Sequence, residues 1–181
     1  RWGSYANAVG LELGIRCIPL NTQHIMTLHM DTMPYREGWL SFLRSRLMDG
    51  VVAAGVRMDR TRNPEGILHV LGCLVDFQVL RKLELDFFPK LPEYDVGDLI
   101  TVQLRRYGYE VFACSNSLWE PHLVEEKLKG SPLENFTVDR SFDHEGNVIF
   151  LHLGRSIHKS QRTETSCPAA NEWIEFAQKH V

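Results

Sequence analysis

The chain has 181 residues, of which 44% are hydrophobic, and this size and composition predict one globular domain. Its formal net charge of -3, without a basic block interleaved with aromatic residues, excludes a general nucleic-acid-binding surface. Its four cysteines form no Cys-x-x-Cys pair, which is typical of a protein in the reducing cytoplasm. No apolar run reaches the roughly 20 residues that span a bilayer, so we expect no transmembrane segment. The expected location is the cytoplasm, with the inner face of a membrane as the alternative.

The first third of the chain predicts a β-α-β unit. A mostly apolar helix comes first and is expected to end at Gly14, because glycine tolerates the left-handed conformation of a helix end. Residues 24–30 then predict a buried strand of a parallel sheet, residues 36–48 a helix with apolar residues at helical spacing, and residues 51–56 a second strand. Pro34 is expected to block strand pairing between the first strand and the helix.

The remaining elements alternate between strands and helices, which predicts an α/β fold. We expect a surface loop at 57–66, a strand at 67–75 and a helix at 76–83. A further helix opens at Asp95 to Asp98 and ends at residues 107–108, with Asp98 as its N-cap, and strands follow at 109–114 and 147–154. The last predicted element is a short helix at 171–180.

Asp31 is the candidate ligand that this pattern singles out first. It lies at the carboxyl end of the predicted strand 24–30, where ligands collect in open α/β sheets. A lone acid at this position is suited to hold a metal ion. The alternative is a turn-forming acid that caps the following helix.

Seven short motifs follow one another along residues 1–158: Gly3…Asn7-x-x-Gly10, His29-Met30-Asp31-Thr32-Met33-Pro34, Gly38-Trp39-Leu40, Gly72-Cys73-Leu74-Val75, Tyr94-Asp95-Val96-Gly97-Asp98, Arg106-Tyr107-Gly108-Tyr109 and Phe150-Leu151-His152-Leu153-Gly154. Their order resembles that of the family-2 glycosyltransferases of GT-A fold. The resemblance implies a three-layer sandwich with a mostly parallel central sheet. In that family a nucleotide-binding half precedes the Asn-x-x-Gly helix, so the chain resembles an N-terminally truncated domain at 1–160, followed by a polar linker and short C-terminal helix at 161–181.

The resemblance also implies a metal site. The family's Asp-x-Asp motif corresponds to His29-Met30-Asp31, and a histidine near the end of the domain corresponds to His152, which must then meet Asp31 in space. The ion implied is Mn²⁺ or Mg²⁺, which bridges the donor's two phosphates, and the imidazole of His29 favours Mn²⁺. The alternatives are that His29 is a core histidine and that His152 is an interior residue of an apolar strand.

Further roles follow from the same resemblance. An inverting transfer needs a general base, which the family takes from an acid at a helix start, and here Asp95 is the first candidate and Asp98 the second. The alternative is that either acid simply caps that helix. The candidate contacts to the donor are Asn7, Gly10 and Arg155. Arg155 is included because a guanidinium matches phosphate oxygens in a bidentate way.

The function implied is a metal-assisted, inverting transfer of a sugar. The donor is a nucleotide-diphospho-sugar and the acceptor a hydroxyl group, such as that of a glycan or a lipid-linked sugar. One alternative is a non-catalytic GT-A-like binding module or pseudo-enzyme fragment, which the replacement of the first acid by His29 favours. Another is a metal-dependent hydrolase, although the chain lacks a spaced motif such as His-Glu-x-x-His.

Overall fold

The structure is a computed structural model that describes residues 2–57, 66–153 and 168–180. These residues form the following helices and strands: α1 (Trp2–Arg16), β1 (His24–Leu28), β2 (Thr32–Pro34), α2 (Trp39–Arg46), β3 (Val51–Arg57), β4 (Leu68–Asp76), α3 (Phe77–Lys82), α4 (Asp98–Arg106), β5 (Glu110–Asn116), α5 (His122–Leu128), β6 (Asp139–Phe142), β7 (Val148–His152) and α6 (Pro168–His180). The chain divides into two compact units. Unit 1 comprises Arg1–Leu28 and Leu40–Cys114, and unit 2 comprises His29–Trp39 and Ser115–Val181.

Unit 1 is built around β4, which is buried at every position from Leu68 to Val75. Strands β1 and β3 both pair with β4 in antiparallel orientation, and β5 pairs with β3 in parallel orientation. The apolar run of β4 is long because both faces of a central strand are covered. Its core continues onto α3 and α4, which contribute Phe77, Leu80 and Leu104.

Unit 2 contains an antiparallel sheet that carries the candidate site. The last two residues of β5 pair with β6, β6 pairs with β7, and β7 pairs with β2. The inward residues of these strands form a second core with Met33, Phe142 and Leu151. Helix α6 packs on the same core, where Phe136 stacks against Trp173 and Phe176.

The predicted mostly parallel, three-layer GT-A sandwich is wrong. Five of the six strand pairings in the described residues are antiparallel, and β3 with β5 is the single parallel pair. The β-α-β prediction assumed that β1 and β3 are neighbours, but β4 lies between them. Apolar periodicity reports which faces of a strand are buried and carries no information about the strand beside it.

Two local predictions also need correction. Helix α1 continues through Gly14 to Arg16. Pro34 is part of β2, opposite Phe150 of β7. Backbone bonds from Leu153 N–H to Asp31 O (3.0 Å) and from Tyr35 N–H to Ile149 O (2.9 Å) flank it, so Pro34 occupies a non-hydrogen-bonded position. An edge strand accepts proline at such a position because no donor is required there.

The predictions for loops and termini have mixed outcomes. Most of the predicted loop at 57–66 lies outside the described residues, as does the polar stretch at 161–167. The terminal helix begins at Pro168, three residues before its predicted start. No helix in the described ranges combines the length and the apolar character needed to cross a membrane.

Candidate metal centre

A tight turn between β1 and β2 brings His29 and Asp31 together. The N–H of Thr32 donates to the carbonyl of His29 at 3.1 Å, which closes a four-residue turn with a fully exposed Met30 near its tip. As a result, His29 Nδ1 lies 3.8 Å from Asp31 Oδ1. Asp31 therefore leads into a strand and does not precede a helix that it would cap.

Pairing of β2 with β7 adds His152 to this turn. Thr32 stands opposite His152 in the ladder, and the N–H of Leu153 donates to the carbonyl of Asp31. This register places His152 Nε2 3.6 Å from Asp31 Oδ2. The Asp31 carboxylate thus lies between two imidazoles, one from its own turn and one from a distant part of the chain.

The three side chains have the geometry of an incomplete metal-binding set. One ligand atom from each of His29, Asp31 and His152 lies within 4.8 Å of the others. Two donors that are each about 2.1 Å from one ion are at most about 4.2 Å apart, so the two distances to Asp31 fit a shared ion. The side chains are 28%, 18% and 13% exposed, respectively, so the cluster is partly buried and remains accessible to solvent.

Asp139 orients the imidazole of His152. It stands opposite His152 in the β6–β7 ladder, and its Oδ2 lies 3.3 Å from His152 Nδ1. A carboxylate that accepts the Nδ1 proton leaves the Nε2 lone pair directed at the neighbouring ligands, as in many metal sites with a histidine ligand. This contact fixes the orientation of the ring, and a metal ion would bind at Nε2 in place of the proton there.

Asp139 is a residue that sequence reasoning missed, because β6 was not predicted. Phe136, Val138 and Phe142 alternate as a strand signal, but Arg140 interrupts the apolar pattern. Arg140 is buried, and its guanidinium donates to the carbonyls of Leu133 and Val138 among others. Arg140 therefore occupies an inward position at which the strand pattern requires an apolar residue. Because of this charged residue, the alternation of apolar and polar residues does not identify the strand.

The charge of the cluster is set by its two carboxylates. Burial alone would lower the pKa of His152, but hydrogen bonds and charge interactions with Asp139 and Asp31 outweigh burial and raise the pKa to about 9. Without a metal, His152 is therefore protonated at neutral pH. Its protonation stabilises the fold below its ordinary pKa of 6.5, and this stabilisation is lost as the pH rises through 9.

Asp139→Asn should lower the pKa of His152 by about one unit or more, because the amide keeps a hydrogen-bond acceptor and removes the charge. The pKa is measured by NMR titration of the His152 ring protons in metal-free protein. Glu126→Gln on the exposed face of α5 serves as the control and should leave the titration unchanged. An unchanged pKa in Asp139→Asn would mean that Asp139 does not control the charge of His152.

The other predicted site residues lie in unit 1 or outside the described residues. Asp98 is fully buried at the start of α4, where Gly97 is the N-cap, and its Oδ2 accepts the N–H of Asp95 at 2.8 Å. The carboxylate of Asp95, which is half-buried, accepts the N–H of Val96. Asp98 is therefore not the N-cap that the sequence predicted, and it stabilises the turn that precedes the helix.

The predicted donor contacts are only partly covered by the described residues. Asn7 and Gly10 both lie on helix α1, where Asn7 is half-buried and Gly10 is exposed, with no neighbouring atom within 4 Å of the position a Cβ would take. Arg155 lies outside the described residues. Of the predicted site residues, the structure assembles His29, Asp31 and His152.

Comparisons with protein-family models, with curated proteins and with solved structures each give no match for this chain.

Proposed function

We propose that the chain binds a divalent transition-metal ion through His29, Asp31 and His152, and that this ion holds the diphosphate of a nucleotide-sugar donor during glycosyl transfer. The observation that carries the proposal is the approach of Asp31 to His152. The two residues lie far apart in the chain, yet Oδ2 and Nε2 are 3.6 Å apart, and Asp139 holds the imidazole from its other side.

The donor set supports Mn²⁺ over Mg²⁺. Mg²⁺ prefers oxygen ligands in an octahedral arrangement and keeps several waters, whereas imidazole suits manganese and the later transition metals. Two imidazoles and one carboxylate also leave coordination positions open for a ligand. When bound, the ion would polarise phosphate oxygens and offset the charge on the departing nucleoside diphosphate.

The transfer reaction is supported only by the succession of motifs in the sequence, because the sheet topology differs from that of the GT-A fold. In that succession Asp31 and His152 have the positions of metal ligands, and Asp95 has the position of the base. Asp95 is a better candidate than Asp98, because Asp98 is fully buried and its carboxylate accepts a backbone hydrogen bond. Asp95 belongs to unit 1 and the three candidate metal ligands to unit 2, so its role as the base that accepts the proton of the attacking hydroxyl group rests on the resemblance alone.

A second candidate is a metal-dependent binding module that performs no transfer. It is favoured by His29, which takes the place of the first acid in the Asp-x-Asp motif. A histidine contributes no negative charge, so this ligand set differs from the pair of acids that the transferase family uses to hold the donor diphosphate through its metal. Both candidates share the metal site and differ in the response to nucleotide.

The proposal is tested by calorimetric titration of Mn²⁺, followed by a panel of nucleoside diphosphates, with Mg²⁺ as the comparison ion. Mn²⁺ binding that is required for diphosphate binding supports the transferase. Mn²⁺ binding without any diphosphate binding supports the second candidate. If the protein binds neither Mn²⁺ nor another divalent ion, both candidates are wrong.

The affinity for Mn²⁺ should rise about tenfold for each pH unit between 7 and 9 and then level off. Below its pKa of about 9, His152 carries a proton on the nitrogen that the ion requires, so binding must release that proton. The affinity is measured by titration in buffers with different ionisation enthalpies, which also counts the protons released. An affinity that does not change over this range would show that His152 Nε2 is not a ligand.

A further inference from the structure

Thr32 lies beside the candidate metal centre and has a buried hydroxyl group. The residue is 7% exposed, and its Oγ1 is inaccessible to solvent and has no hydrogen-bond partner among the described residues. Most buried hydroxyl groups in proteins are hydrogen-bonded, so an exception calls for a specific explanation.

The ladder between β2 and β7 defines where this hydroxyl group lies. Thr32 is directly opposite His152, and the bond from Leu153 N–H to Asp31 O makes this a non-hydrogen-bonded pair, the type in which facing side chains are closest. Asp139 is opposite His152 on the other side. Asp139, His152 and Thr32 therefore form one row on the same face of three adjacent strands.

The two nitrogens of the His152 ring face opposite ends of this row, one toward Asp139 and the other toward the residue before Thr32. Its Nδ1 faces Asp139 of β6, and its Nε2 faces Asp31, the residue immediately before Thr32. The ring thus spans from β6 to β2 and presents Nε2 on the side of the strand that carries Thr32. Hydroxyl oxygens of Ser and Thr bind Mg²⁺ in phosphate-transferring proteins, so a threonine is chemically suited to bind a hard divalent ion.

We propose that the Thr32 hydroxyl is a fourth protein ligand of the metal bound by His29, Asp31 and His152. This inference rests on the proposed metal site and deepens it. The fourth ligand is a neutral oxygen, which adds a hard donor to the two imidazoles and shifts the preference of the set toward Mn²⁺. It also gives a partner to a buried hydroxyl that has none among the described residues and that lies in the same row as His152 and Asp139.

The test compares Thr32→Val, which has nearly the same shape without the hydroxyl group, with Thr32→Ser, which keeps it. Thr32→Val should lower the affinity for Mn²⁺ about tenfold, and Thr32→Ser should stay within about twofold of the wild type. Water-proton relaxation of the Mn²⁺ complex provides a second measurement. It should change in Thr32→Val, because the metal loses a protein ligand, and should match the wild type in Thr32→Ser.

Stability without metal separates a ligand from a structural hydroxyl group. In metal-free protein the urea midpoint of Thr32→Val should equal or exceed that of the wild type, because the hydroxyl has no hydrogen-bond partner to lose in the part of the chain that the structure describes. A lower midpoint, or an affinity for Mn²⁺ equal to that of the wild type, would overturn the assignment of Thr32 and leave the proposed function standing. If the wild type itself fails to bind Mn²⁺, the proposed function and this inference are both wrong.

Discussion

Asp31→Ala should lower the affinity for Mn²⁺ by more than about 100-fold. Asp31 is the only carboxylate in the candidate ligand set, and it lies between His29 and His152 at 3.8 and 3.6 Å. Loss of an outer-shell partner typically lowers metal affinity 10–100-fold, and loss of a charged ligand should have a larger effect. The affinity is measured by calorimetric titration at pH 9.5, where proton competition at His152 is weak in both proteins.

Two further variants separate charge from coordination. Asp31→Asn keeps an oxygen donor and removes the charge, so its affinity should lie between those of the wild type and Asp31→Ala. Glu126→Ala removes an exposed acid on α5 and should bind Mn²⁺ as the wild type does. If Asp31→Ala binds Mn²⁺ with the affinity of the wild type, the cluster of His29, Asp31 and His152 is not the metal site.

Gly55→Ala should lower the free energy of unfolding by about 3 kcal/mol or more. Gly55 lies in β3 beside the central strand β4, and a Cβ at this position would be 2.2 Å from the carbonyl oxygen of Gly72 and 2.8 Å from the Cα of Cys73. Both obstructing atoms belong to the backbone, so a side-chain rotation cannot relieve the overlap. Overpacking a well-packed core costs about 1–3 kcal/mol, and occasionally more.

The control for this prediction is Gly14→Ala in helix α1. Gly14 is exposed, with no atom within 4 Å of the position that a Cβ would occupy, so alanine should raise the free energy of unfolding by about 0.5–1 kcal/mol. The urea midpoint of each variant is compared with that of the wild type. The comparison reports stability when the unfolding free energy has the same slope against urea concentration in all three proteins. A midpoint of Gly55→Ala equal to that of the wild type would mean that β3 and β4 can separate enough to admit a methyl group.

Several elements could be predicted from the sequence because their signals are local. The apolar run of residues 51–56 and the helix that opens near Asp98 correspond closely to β3 and α4. Asp31 was identified from a turn that follows an apolar run, and His152 from its position in a succession of motifs. For Asp31 the relevant information lies within a few neighbouring positions, whereas for His152 it lies in the order of motifs along residues 1–158.

Strand β6 shows why other parts of the site could not be predicted. Its inward position is occupied by Arg140, whose charge is accommodated by backbone carbonyls of residues 133–138. Those carbonyls are available only in the folded chain, so no composition rule identifies Arg140 as a core residue. Asp139, which orients His152, was missed together with its strand.

The amino-acid sequence therefore determined which segments are apolar, where turns interrupt them, and which side chains can bind a metal. Only the tertiary structure decided that β4 separates β1 from β3, that Pro34 lies in a strand, and that Asp139 and Thr32 flank His152. Segment type follows from short-range sterics and hydrophobic periodicity, which adjacent residues encode. Strand neighbours and their register depend on hydrogen bonds and packing between segments that are distant in the chain, and no local pattern specifies these partners.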